Sequence, residues 1–186
     1  MKHFYLIRHG EKVKHIGNPP LTPIGVFQAQ LTGQFLKTYP ITFIASSPLL
    51  RTQQTSHHIA EHLQLPVLTH DLLKERKNWG DSPDQSYADF LEEWRKSDSD
   101  RDFKPSQGDS SRAAGQRIER FISSLHSSEH EHIAIITHGG VIRDFIQNIA
   151  PDFKCTEVAE CSITRVTLQT AKLTLEDFAS TSHLHI

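Results

Sequence analysis

Three short polar stretches carry residue types that could act on an anion: Arg8-His9-Gly10-Glu11, Ser46-Ser47-Pro48-Leu49-Leu50-Arg51 and Thr137-His138-Gly139-Gly140. Each follows a mainly apolar run, at Lys2 to Ile7, Ile41 to Ala45 and Ile133 to Ile136. Short apolar runs closed by polar clusters read as buried strands. A cation or an imidazole therefore stands near each strand end, and the glycines allow a ligand to approach the backbone closely. Arg51 falls in or just after the first turn of the helix that Ser47 and Pro48 open. A cation there opposes the helix dipole by roughly 0.3–1 kcal/mol, and a bound anion reverses the sign. The nitrogens of Gly139 and Gly140, at another helix start, make a second anion cradle. Gathered in one place, two arginines, two histidines and two helix termini call for a dianion, and a phosphate monoester fits that charge. Guanidinium groups also fork onto non-bridging oxygens in a way that lysine cannot match.

The elements that would position these residues alternate. After the first strand, Thr22 and Pro23 supply a cap and a first helical residue, and Val26, Leu31, Phe35 and Leu36 form a stripe to about Thr38. A second strand, the Ser47-Pro48 helix and a short strand at Val67 to Thr69 follow. From Asp71 to Gly108 the chain turns polar, holds both tryptophans, Trp79 and Trp94, and has one expected helix around Tyr87 to Lys96. Residues 71–108 read as a cap-like excursion off the sheet. A helix capped near Asp109 or Ser110 then leads to the Ile133 strand and a helix from about Val141 to Ile149. Ser162 to Leu168 and Lys172 to Leu175 alternate like a hairpin. The expected fold is α/β: a three-layer α/β/α sandwich with a mostly parallel central sheet and a C-terminal hairpin, as one domain over residues 1–186. Ligands in open α/β sheets bind beyond the carboxyl ends of the strands, which is where all three polar stretches fall if their strands are parallel and adjacent.

Size and composition agree. The chain has 186 residues, 37% of them hydrophobic and 23% charged, with a formal net charge of −2. That balance suits one globular core and points to no nucleic-acid surface or anionic membrane. No stretch reaches the ~18 apolar residues of a spanning helix, and the start lacks a signal-peptide pattern. Cys155 and Cys161 have no metal-ligand spacing and read as reduced core thiols of a cytoplasmic protein. Oligomeric state is not readable.

The stretches LIRHGE, PLTPIGVFQAQ, SSPLLRTQQT, LLKER, GDSS with its helix, and ITHGGVIRDF resemble, in order from Leu6 to about Phe145, the histidine phosphatase superfamily, which includes cofactor-dependent phosphoglycerate mutases and small phosphatases. The resemblance implies a metal-independent phosphomonoesterase with no cofactor. It implies His9 as the phosphorylated nucleophile, Arg8, Arg51 and His138 as the phosphate pocket, where His138, if protonated, adds a donor, and Glu75 as the proton donor. Spacing alone does not separate Glu75 from Asp71, Asp81 or Glu92. Many members have an Asn six residues after the nucleophile; here that residue is His15, with Asn18 as a substitute, or the contact is missing. The substrate class is small phosphorylated molecules, and a mutase or a catalytically silent phosphate-binding module are the rival readings. Arg143 is expected to face solvent. Glu92 and Glu93 read as a solvated helix face, His132 as exposed, His183 and His185 as a frayed tail, and Trp79, Tyr87 and Trp94 as cap packing.

Overall fold

In the computed structural model, which describes residues 1–184, one six-stranded sheet organises the chain. In chain order the elements are β1 (Lys2–Arg8), α1 (Pro23–Leu36), β2 (Phe43–Ser46), α2 (Leu50–Leu63), β3 (Val67–Thr69), α3 (Tyr87–Ser99), α4 (Ser111–Ser124), β4 (His132–Thr137), α5 (Gly139–Ile149), β5 (Ile163–Gln169) and β6 (Lys172–Ser180). The sheet order is β3-β2-β4-β1-β5-β6. The first four of these are parallel, and β5 and β6 run antiparallel as the expected hairpin. Two short 3-10 turns, Asp71–Leu73 and Ser182–Leu184, complete the chain. Among the described residues no helix is long and apolar enough to cross a membrane.

Period-two alternation along the strands splits the core into two layers. Phe4 and Leu6 of β1, with Ile133 and Ile135 of β4, pack against Ala114, Ile118 and Phe121 of α4 and Val141, Ile142 and Phe145 of α5. Tyr5, Ile7, Ala134 and Ile136 face the other way, onto Leu36 of α1 and Ile59 of α2. Each fully buried aliphatic or aromatic side chain contributes about 1.5–3 kcal/mol, and both faces of the parallel region are covered, as such sheets require. Thr22, Ser86 and Ser110 cap α1, α3 and α4 with side-chain oxygens on Gly25, Asp89 and Ala113 nitrogens.

The boundary at α2 differs from the expected Ser47-Pro48 start. Ser47 still extends β2, its N–H donating to Ile136 O at 3.0 Å, and its carbonyl accepts from Thr52 Oγ1 and Gln53 Nε2. The helix therefore opens at Leu50, behind an N-cap Leu49 that has no capping side chain. Its cap arrives from another loop: Leu50 N–H donates to Asn18 Oδ1 at 2.8 Å. Likewise α5 starts at Gly139, so the two glycines are its first helical turn and not a turn before it. His183 is no frayed residue: its ring stacks on Phe35 at 5.0 Å and its Nε2 lies 3.0 Å from Thr32 Oγ1. His132 is the first residue of β4, stacked on His3 at 4.5 Å, and not a surface turn. His185 lies outside the described residues.

A backbone contact explains why the PLTPIG stretch accompanies RHG. The start of α1 lies against the loop that leaves β1, with Thr22 N–H donating to Glu11 O at 2.9 Å. A Cβ on Gly25 would stand 2.0 Å from Glu11 O, and one on Gly10 would stand 2.4 Å from Gly25 O. Gly25→Ala is expected to push this loop off α1 and to lower stability by at least the ~1–3 kcal/mol of ordinary overpacking. Denaturant titration of the variant checks this; an unchanged midpoint would show that the loop has room to move.

Candidate active site

Strands β2, β4 and β1 are neighbours, and their carboxyl ends are level: Arg8 pairs with Thr137, and Ser46 with Ile136. The three polar stretches therefore leave the sheet side by side, with His138 on the central strand. The rings of His9 and His138 meet edge to face, 5.2 Å between centroids. Arg51, in the first turn of α2, reaches across so that its Nε lies 3.2 Å from His9 Nε2.

His9 is buried, and its Nδ1 lies 2.8 Å from Gly10 O. A carbonyl can only accept, so Nδ1 carries the proton and Nε2 keeps its lone pair. Burial first, and the Arg51 guanidinium second, push the His9 imidazolium well below its ordinary range. The neutral ring is thus held in one tautomer, and its free nitrogen faces a cation. Arg51 is itself buried. Its Nη2 donates to Asn78 Oδ1 at 3.2 Å, and its Nη1 has no hydrogen-bond partner. A buried guanidinium nitrogen without an acceptor is costly, and an anion's oxygen would relieve that cost.

His138 is completely buried, with Nε2 2.8 Å from Ser47 Oγ and Nδ1 unpartnered. Burial, then Arg51 and His9, push its imidazolium down as well. In the unliganded site burial and the guanidinium of Arg51 therefore favour a neutral His138, so that its role as a charged donor depends on the arrival of an anion. Arg8 lines the cavity but is anchored, Nη1 donating to Val158 O at 2.5 Å and Nη2 to Glu160 Oε1 at 2.7 Å.

Glu75 enters from the segment after β3 and takes the helix terminus assigned from the sequence to a ligand. Gly140 N–H donates to its Oε2 at 3.1 Å, Val141 N–H to its Oε1 at 2.9 Å, and Arg76 N–H to Oε1 at 2.9 Å. The Gly139-Gly140 cradle thus holds a carboxylate of the protein itself, because an acid side chain on the neighbouring segment reaches the α5 N-terminus. Gly140 permits this: a Cβ there would stand 2.7 Å from Glu75 Oε1. Gly139 lines the cavity beside Arg8. Asn18 does not line it; its side chain is spent on capping α2. Asn78, which the sequence reading passed over, stands in the cavity instead, bonded to Arg51 and, through Nδ2, to Gly17 O at 2.8 Å.

The cavity holds about 400 Å³, within the ~300–1,000 Å³ of small-molecule sites. Its outer wall carries Trp79, Tyr87, Phe90 and Trp94 from residues 71–108, and Lys12 comes from the loop after β1. Arg143 also lines it and is ion-paired with Asp98, correcting the expectation that it faces solvent. Asp98 also pairs with the buried Arg76, whose Nη1 reaches Asp144 at 3.1 Å and Ser111 Oγ at 2.7 Å and whose guanidinium lies 3.9 Å over the Trp94 ring. Burial pushes Asp144 up to about 7, with Arg76 pulling the other way. Glu93 is not a solvated residue: it is ion-paired with the buried Lys77 and accepts from Gln85 Nε2 at 3.0 Å. Arg143 could have been found by the rule that singled out Arg51, a cation close to a helix start. Arg76, Lys77 and Asn78 carry no such signal.

Comparison with known proteins identifies the family. The family model described as "Histidine phosphatase superfamily (branch 1)" matches residues 4–181. A protein of Proteus mirabilis (strain HI4320) named "Probable phosphoglycerate mutase GpmB" is 31% identical over 186 residues, covering 91% of this chain and 86% of its own. Among solved structures, a mycobacterial glucosyl-3-phosphoglycerate phosphatase in complex with inorganic phosphate shares the fold, with a TM-score of 0.83 at 19% identity over 98% of this chain and 99% of its own. A phosphoserine phosphatase mutant from Entamoeba histolytica, in complex with phosphoserine, aligns with a TM-score of 0.74 at 25% identity over 99% and 100% of the two chains. A match that runs from the first strand to the end of the hairpin leaves one conclusion: this chain belongs to the histidine phosphatase superfamily, branch 1.

Proposed function

We propose that this protein is a phosphatase that hydrolyses phosphate monoesters of small molecules through a covalent phosphohistidine on His9. The observation that carries the reading is the pairing of a lone pair with an unspent cation. His9 Nε2 is free of its proton, and beside it Arg51 Nη1 is buried with no acceptor. A phosphoryl group placed between them would give Arg51 its missing oxygens and His9 its electrophile.

Phosphoryl transfer asks for positioning and charge neutralisation more than for covalent help. His9 Nε2 attacks phosphorus, and the bond to the leaving alkoxide breaks. Arg51 turns its donors from Nε2 and Asn78 onto the equatorial oxygens, and Arg8 and Lys12 add charge from the rim. His138 takes a proton when the dianion arrives and becomes a further donor; loss of one such donor typically costs about 3–4 kcal/mol of barrier. Glu75, which must enter this step protonated, gives its proton to the leaving oxygen, and the resulting carboxylate, held by the Arg76, Gly140 and Val141 nitrogens, later removes a proton from the water that attacks the phosphohistidine. Residues 71–108 form a cap over the leaving-group side. A mutase would return the phosphoryl group to substrate and would need water excluded; here the rim is open at Tyr87, 52% exposed, which favours hydrolysis. We also expect a cytoplasmic protein without nucleic-acid or membrane partners, a reading supported by the formal net charge of −2.

Acid quenching with a labelled phosphate ester should trap one phosphoryl group on the wild type and none on His9→Ala, which should also lose turnover. Activity retained by that variant would remove His9 from the mechanism. Because the arginines supply the positive charge, EDTA should leave turnover unchanged; inhibition reversed by a divalent ion would count against the scheme.

The neutral histidines set a pH dependence. Both folded imidazoles titrate below the ordinary value of 6.5. Below that value the unfolded chain therefore binds more protons than the folded one, so stability falls as pH falls through and below 6.5. By NMR, the rings of His9 and His138 in the unliganded protein should still be neutral at pH 6.5. Half-protonation of either ring at that pH would contradict the assignment.

A further inference from the structure

The charges lining the cavity are unevenly matched. At the phosphate end Arg51 has no ion-pair partner among the described residues, and neither has Lys12, a half-buried ammonium that burial first, and then the charges of Arg51 and Arg8, push down. On the outer wall every cation is matched. Lys77 is paired with Glu93, Arg143 shares Asp98 with Arg76, and Arg76 has Asp144 as well. One doubly charged phosphate therefore meets two cations that no carboxylate among the described residues touches. A second anionic group, such as the carboxylate of a phosphoglycerate or of phosphoserine, would meet cations already neutralised and the carboxylate of Glu157 at the rim.

The outer wall offers aromatic surface. Trp79 and Tyr87 are in contact, 4.7 Å between ring centroids, as are Phe90 and Trp94 at 5.8 Å. Tyr87 is exposed although it belongs to this cluster. The indole Nε1 of Trp79 is buried and has no acceptor, an exception among buried polar groups that a ligand acceptor would remove. Aromatic walls of this kind take planar rings by stacking, with little regard to their sequence of heteroatoms.

We propose that the substrate is a phosphate monoester whose leaving group carries an uncharged planar heteroaromatic ring, the chemistry of a nucleoside 5′-monophosphate, and not a small carboxylated phosphoester. The ring lies against the Trp79–Tyr87 and Phe90–Trp94 wall, one of its acceptor atoms receives the Trp79 indole N–H, and the phosphate reaches His9 and Arg51. This rests on the phosphatase reading for turnover, but not for binding.

The two tryptophans of the chain both line the cavity, so its entire tryptophan emission reports on the wall. Two measurements on the full chain test the proposal. In the first, kcat/KM is compared for adenosine 5′-monophosphate, glycerol 3-phosphate, 3-phosphoglycerate and phosphoserine. In the second, adenosine 5′-monophosphate, 3-phosphoglycerate and orthophosphate are titrated into His9→Ala while tryptophan emission is followed. The nucleotide should be turned over at least tenfold more efficiently than the other three esters. It should quench the emission at concentrations at least tenfold lower than 3-phosphoglycerate requires. Trp79→Phe, which keeps a ring and removes the N–H, should cut the nucleotide-to-glycerol-phosphate ratio about tenfold. Equal efficiency across the esters, or preference for either carboxylated one, would overturn the substrate class. Quenching by the nucleotide with no ester hydrolysed by the wild type would leave the class standing and end the hydrolase reading instead.

Discussion

A buried positive charge that no carboxylate among the described residues touches is the constraint around which this molecule is arranged. Arg51 is 3% exposed, and one of its terminal nitrogens has no acceptor. The penalty for an ion so placed is several kcal/mol even after relaxation, and the surrounding structure has to supply it. It does so with a sheet whose central strands are covered on both faces, and with a helix start braced from outside by Asn18. The same charge governs the chemistry. After burial, it is the next cause that lowers the proton affinity of both site histidines and so keeps His9, the proposed nucleophile, neutral.

Around that centre, ions and not an apolar core hold the outer wall. Helix α3 has one buried residue, Ser97, so apolar burial cannot fix it. Arg76 does, by joining Asp98 of α3 to Asp144 of α5 and Ser111 of α4 beneath Trp94. Removing one member of such a buried set typically costs ~3–5 kcal/mol, since the rest is left uncompensated. Arg76 also follows Glu75 directly, so the residue that anchors the wall is bonded through the backbone to the carboxylate proposed as proton donor.

Much of the fold was legible because it rests on short-range signals. Apolar runs ending in polar clusters marked β1, β2 and β4, threonine or serine caps marked α1 and α4, and alternation marked β5 and β6. The errors fell where a partner remote in sequence decides the outcome. The start of α2 was misplaced because its cap is Asn18, thirty-two positions upstream, and no local pattern announces a cap from another loop. The same remote bond removed Asn18 from the phosphate pocket. Arg8, His9, Arg51 and His138 were legible because each stands at a strand or helix end, where an ionic or imidazole side chain has no structural cause. Arg76, Lys77 and Asn78 were not, because a buried ion pair is invisible until its partners, sixteen to sixty-eight residues away, are in place.

The least expected feature is the use of the α5 terminus. Two helix starts at the carboxyl edge suggested two subsites for substrate anion. Instead Glu75 fills one of them with its own carboxylate, through two α5 nitrogens and its neighbour's. The physics favours this division. Two ligand oxygens on one terminus and one cation cluster would compete with the carboxylate for the same donors, and like charges at hydrogen-bond range repel. Tying Glu75 to backbone nitrogens directs its charge toward α5 and leaves the guanidinium of Arg51 for the phosphoryl group. Under the proposed mechanism the site brings an acid beside a dianion and gains from giving each its own donors, and the glycine at position 140 is where the backbone makes room for that arrangement.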